Sequence, residues 1–95
     1  MATSGIPNYF NQRMNRASVS VLTYAQSCSE GIHFYATTGD TADNPITASH
    51  AFMIFKASSG ITIFALSLGS RNAYINATND GGSTWSGWKH FSEDA

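Results

Sequence analysis

The chain has 95 residues and balances 5 Lys+Arg against 6 Asp+Glu for a formal net charge of −1, which leaves room for one domain at most. Charged residues make up 12% of it, half the usual share of about 25%, and this excludes a broad electrostatic footprint for nucleic acid or an anionic membrane. A hydrophobic content of 42% with 13% aromatics excludes an intrinsically disordered chain.

In chain order, Ile6, Tyr9, Phe10, Met14 and Ala17 recur at three- and four-residue intervals, the face of a short helix. Pro7 suits its first turn, while Asn8, Asn11 and Asn15 weaken it. Residues 1–18 are therefore expected to form a helical or extended arm, with Arg13 and Arg16 solvated. From Val19 the period changes to two, and Val19–Tyr24 is expected to be a strand, followed by a turn over Ser27–Gly31. Ile32–Thr37 is the second strand, with Ile32, Phe34 and Ala36 on one face and His33 and Tyr35 on the other. Gly39–Pro45 is a loop of turn formers, bounded by Asn44-Pro45.

His50–Lys56 and Ile61–Leu68 form a predicted hairpin through the short loop Ala57–Gly60. Ile61, Ile63, Ala65 and Ser67 share one face of it, and Thr62, Phe64, Leu66 and Leu68 the other. Both faces are apolar, so this hairpin is expected to be covered on two sides, by the core and by a partner subunit or the arm. After a turn at Gly69–Asn72, the strand Asn72–Thr78 pairs through Asn79–Gly82 with Ser83–Phe91. Residues 92–95 form a polar tail. Six short strands predict an all-β domain over residues 19–91, a small antiparallel β-sandwich or twisted-sheet knob.

Ser, Thr and Asn supply 29 residues in place of the missing charges. Their hydroxyls and amides suit turns and exposed strand faces, a neutral surface more typical of extracellular assemblies than of cytosolic enzymes. Cys28 is the single cysteine, which rules out an intrachain disulfide or a cysteine-based zinc site, and an inert thiol is expected. No apolar run approaches the ~20 residues of a membrane-spanning helix. Met1–Pro7 lacks the charged and apolar regions of an export signal, so lysis or carriage on a particle is the expected route out of a cell.

The segment Ala73-Tyr-Ile-Asn-Ala-Thr-Asn-Asp-Gly-Gly-Ser-Thr-Trp-Ser-Gly-Trp-Lys-His-Phe91 resembles the closing hairpin of pyocin-knob domains, found in phage tail fibres, tailspikes and phage-derived bacteriocins. Their pattern is x-Tyr-x-Arg-x-x-x-Asp-Gly-x-x-Trp-Ser-x-Trp-x-x-Leu. Gly31-Ile-His-Phe-Tyr35 is similar to the family's Gly-x-Tyr-Tyr strand, and Asp43-Asn-Pro45 to its x-Asn-x-Pro loop, so the likeness spans residues 20–91. The chain departs from the pattern at Asn76, where Arg is frequent, and at Phe91, where Leu is frequent. Its middle hairpin is also more hydrophobic. The resemblance implies a homotrimeric knob on a virion, outside the cell, attached to the rest of a tail fibre or tailspike and displaying a surface to the bacterial envelope.

The candidate ligand-binding residues follow from chemistry at the predicted turns and outer faces. Trp85 and Trp88, three apart on a predicted strand, are expected on opposite sides, Trp88 in the core. Trp85 is expected either to offer its ring face to a pyranose or to pack under the hairpin. His33, Tyr35 and Arg71 are expected on outward faces where, with Asn76, Asn79 and Asp80, they could bond sugar hydroxyls. His50 is expected to be structural, and no His₃ metal site is expected from His33, His50 and His90. Asp40, Asp43 and Asn44 are expected to be a solvated loop in preference to a calcium site. No acid pair, nucleophile–base set or phosphate-cradling loop stands out, so no catalytic residue and no cofactor is expected. The function expected is recognition of a surface glycan, lipopolysaccharide or capsule, without nucleic acid or membrane insertion. A purely structural trimerisation module and a carbohydrate-anchoring accessory module of a depolymerase are the alternatives.

Overall fold

The period-two pattern that starts at Gly31 becomes one sheet. A computed structural model describes residues 19–91 and the backbone of Arg16–Ala17. Six strands lie side by side in sequence order: β1 (Arg16–Ala17), β2 (Gly31–Thr37), β3 (His50–Ala57), β4 (Gly60–Ser67), β5 (Ala73–Thr78) and β6 (Lys89–Phe91). From β2 to β6 every pairing is antiparallel, while β1 runs parallel to the end of β2. The expected arm over residues 1–18 and the tail over 92–95 lie outside the described residues, apart from β1. Among the described residues no helix is long and apolar enough to cross a membrane.

Cross-strand partners share a face, so the register defines two surfaces. One carries the rows Tyr35–Phe52–Ala65–Tyr74 and His33–Ile54–Ile63–Asn76. The first of these rows is buried along its length, as are Ile54, Ile63 and Asn76 of the second. This is the inner face. Its cover is α1 (Val21–Ser27), which buries Val21 and Ala25 against it, with Leu22, Tyr24, Trp85 and Trp88 packed around the margin.

The helix corrects the expected strand over Val19–Tyr24. Val19, Val21 and the residues between them alternate, but Val21 and Ala25 are also one helical turn apart, and the inner face needs a cover. Ser20 caps the start, its Oγ accepting the Leu22 N–H at 3.1 Å. Lys56 closes the other end, its ammonium donating to the carbonyls of Gln26 (2.9 Å) and Cys28 (2.7 Å), where cations complement the helix dipole. Seven residues cannot hold a helix in water by themselves. Docking onto the sheet decides it.

The outward placement of Tyr35 is also corrected. Alternation in β2 is as expected, but it is Ile32 and Phe34 that face away from the core and Tyr35 that faces in. Tyr35 stacks on Tyr24 with ring centroids 4.0 Å apart, and its hydroxyl donates to the Val19 carbonyl at 2.7 Å. That bond satisfies the one polar atom the burial would otherwise strand.

The last predicted strand is shorter than expected, since only Lys89–Phe91 pairs with β5. Residues 83–88 leave the sheet because Gly87, at φ +95°, turns the chain and gives its N–H to the Asn76 side chain instead of a ladder carbonyl. The β3–β4 hairpin closes through two residues, Ser58 and Ser59, between the pair Ala57 and Gly60. Ser58 sits at φ +57°, held there by the Glu30 carboxylate, which accepts its N–H at 2.9 Å.

Candidate functional site

The loop between β5 and β6 is built on three side chains of β5 and α1. Asn76 is 2% exposed, and its Oδ1 accepts the N–H groups of Ala77 (2.8 Å) and Gly87 (2.9 Å) and the Ser86 hydroxyl (3.4 Å). Thr78 Oγ1 lies 2.6 Å from Asp80 Oδ1 and 2.7 Å from the Thr84 carbonyl, and receives the N–H groups of Asp80 and Gly82. Gln26 reaches from α1 to the Gly82 carbonyl at 3.2 Å. Gly82 has φ +105°, and a Cβ there would meet Gln26 Cγ at 2.5 Å, so only glycine fits. The Gly81 N–H donates to the Ser59 carbonyl at 2.9 Å, tying this loop to the β3–β4 turn.

The result is an open groove of about 500 Å³ lined by Ala77, Thr78, Asn79, Asp80, Thr84, Trp85 and Ser86. Asp80 is its charged group. The Thr78 hydroxyl, and then the Thr84 N–H at 3.0 Å, hold the carboxyl below the usual carboxylate range, because hydrogen bonds to the ionised form favour it. Trp85 is half-buried against the core, and its indole Nε1 is enclosed with no partner among the described residues. Both tryptophans thus lie on the same core, which corrects the expected opposite placement. Period two does not apply to a segment that has left the sheet.

Three of the seven expected ligand-binding residues meet here: Trp85, Asn79 and Asp80. Asn76 lies beneath them as buried scaffold, with its carbonyl oxygen fully used. His33 and Asn76 sit at the two ends of one inner-face row, three strand spacings or ~14 Å apart. The ring nitrogen Nε2 of His33 is 2.7 Å from the Ser29 carbonyl. Arg71, exposed, precedes β5 while the groove follows it, which separates the two by roughly 20 Å. Tyr35 is in the core. Sequence reasoning missed Thr78, Thr84 and Ser86, although the Asp-Gly-Gly-Ser-Thr run already marked the turn that assembles them.

Several polar and titratable side chains away from the groove serve the fold. His50 is fully buried, its Nδ1–H donating to the Ala48 carbonyl at 2.7 Å, and its ring lies 5.7 Å from that of Phe52. Burial pushes its pKa down. Asn44 accepts the Thr37 hydroxyl and donates to the Thr38 and Ala48 carbonyls, while Asp40 accepts the Thr38 hydroxyl. Asp43 accepts the Ser20 hydroxyl through its carboxylate and the Trp88 indole N–H through its carbonyl, at 2.8 Å. Burial raises the Cys28 thiol, with partial relief from Tyr24 and Lys56, the opposite of what a nucleophile needs. Among the described residues no three His, Cys, Asp or Glu side chains gather as metal ligands.

No protein family, no curated protein and no solved structure matches this chain. A fold alone does not assign function, and the chemistry of the surfaces has to do so.

The largest of those surfaces is the outer face of the sheet. Ile32, Phe34, Met53, Phe55, Phe64, Leu66 and Phe91 stand on it with exposures between 36% and 59%. Phe55 and Phe64 meet edge to face at 6.0 Å, and Phe64 stacks on Phe91 at 6.4 Å. With an aromatic side chain offering about 150–250 Å², these seven expose roughly 600 Å² of apolar surface. A typical monomer leaves about 300–600 Å² in its largest patch.

Proposed function

We propose that this chain is the knob of a phage tail fibre or tailspike, a non-enzymatic, extracellular virion module that assembles as a homotrimer and binds a bacterial surface glycan, lipopolysaccharide or capsule. The observation that carries the reading is the open apolar face of the sheet. Burying it against identical copies would remove roughly 600 Å² of apolar surface from each, about three quarters of the ~800 Å² per partner of a standard interface. A net charge of −1 puts no electrostatic barrier between copies. Sheets packed face to face at ~10 Å would also supply the second layer of the expected sandwich, contributed by neighbouring chains.

The Trp85 groove supports the glycan half of the reading. An indole at the margin of a groove lined by hydroxyls, a carboxamide and a carboxylate offers the mixture of flat apolar surface and paired donors and acceptors that a pyranose uses. One shallow groove binds weakly, and three on a rigid tip raise avidity by orders of magnitude without any new contact. Size-exclusion chromatography with light scattering tests the assembly: a mass about three times 10.2 kDa is expected, and a stable monomer refutes it. Adsorption of the purified protein to host cells, lost on Trp85→Ala with the trimer intact, tests recognition. Retained adsorption would move binding elsewhere. Absent adsorption by the unaltered protein would favour the structural trimerisation module.

A further inference from the structure

We propose that the Trp85 groove selects by charge, taking neutral or amine-bearing sugar residues and rejecting uronic-acid, sialic-acid or phosphorylated ones; this rests on the glycan reading above. Among the groove's lining residues Asp80 is the one charged side chain, and none is basic. Its carboxylate is exposed and oriented, with Oδ1 fixed by the Thr78 hydroxyl at 2.6 Å and the Thr84 N–H at 3.0 Å. Recognition of an acidic sugar relies on a cation, most often a guanidinium in a paired bond. Among the described residues the cations lie elsewhere. Lys56 holds the two carbonyls at the end of α1, Lys89 stands opposite Ile75 on the outer face, and Arg71 is at the far end of β5.

An acidic sugar seated on Trp85 would therefore meet a fixed like charge with no cation among the described lining residues to offset it. An ammonium on the same sugar would instead find a charge-assisted acceptor, and neutral hydroxyls would find Asn79 and Thr84. Two hydrogen bonds to the carboxylate hold its pKa below the usual carboxylate range, so the charge is in place at neutral pH.

The test titrates the full-length protein with three oligosaccharides of equal length, made of glucosamine, N-acetylglucosamine or glucuronic acid, following the Trp85 indole resonance. The first two are expected to bind, and the third to bind at least about tenfold more weakly at low salt, with the gap narrowing as salt rises. Asp80→Asn keeps the Oδ1 acceptor and should close most of the gap, while Asn79→Lys at an exposed position should invert it. Equal or tighter binding of the glucuronic series by the unaltered protein, or an unchanged ratio in Asp80→Asn, overturns the charge selection while leaving glycan binding standing. Silence from all three series, with the protein folded, overturns the glycan reading itself and the selection with it.

Discussion

Replacing Asn76 by Ala should unfold the groove before it unfolds the sheet. Asn76 Oδ1 is the acceptor for the Ala77 and Gly87 N–H groups at 2.8 and 2.9 Å and for the Ser86 hydroxyl at 3.4 Å. Each such bond contributes about 0.5–1.5 kcal/mol net, and a buried donor left without an acceptor costs about 1–3 kcal/mol. Ala77 keeps a long alternative in Ser86 Oγ at 3.3 Å, and Gly87 is exposed enough for water to replace the lost acceptor, so the total is set nearer the low end, about 2–3 kcal/mol. For a domain of this size that lowers the melting temperature by roughly 10–20 °C, compared at one chain concentration because assembly shifts the midpoint. Amide hydrogen exchange supplies the local reading: Ser86, which donates to the Ala77 carbonyl at 2.9 Å, and Gly87 should lose protection while the β3–β4 amides keep theirs. A loss under about 0.5 kcal/mol, or uniform loss of protection over the sheet, would refute the assignment of Asn76 as the scaffold of this loop.

Phe64→Ser, in the middle of the outer face, should convert the proposed trimer to monomer by light scattering while leaving the circular dichroism spectrum unchanged; an unchanged mass would place the interface elsewhere. For His50 the buried state lowers the folded pKa, so the unfolded chain binds the proton first. Stability should be flat above the unfolded value of about 6.5 and fall as pH drops below it, and the imidazole resonance of His50 should titrate later than that of a denatured control. An upward shift of that resonance would reverse the sign and the argument. Ser58→Gly should stabilise by up to about 1 kcal/mol in denaturant unfolding, since a non-glycine residue at φ +57° is disfavoured by about 1–2 kcal/mol, less the extra chain entropy of glycine; a loss would mean that the Glu30 contact depends on the serine.

The β-hairpin of β3 and β4 was legible almost residue by residue, because alternation and a short turn are local properties. Its two apolar faces were legible as well: one packs under α1 as the inner surface, while the other, expected to be covered by a partner subunit or the arm, is exposed among the described residues. The groove was legible in part: Asn-Asp-Gly-Gly announces a turn, and Trp85 with Asp80 announces chemistry. Asn76 was not, because nothing in the residue type tells a ligand-binding amide from one that bonds its own backbone. Tyr35 illustrates the same limit. Its amphipathic ring suits either side of a strand, and the free carbonyl at Val19 made the inner side possible.

By itself the sequence determined the β-rich meander, its turn positions and the scarcity of charge, since these follow from side-chain period, glycine placement and charge count. Only tertiary structure decided that residues 21–27 coil instead of extending, that residues 83–88 swing off the sheet, and which faces of β2 and of the tryptophans lie inside. Each of those choices is close to balanced in local propensity. A seven-residue helix and a glycine-broken strand gain too few bonds of their own, so the packing of an otherwise bare inner face tips the balance.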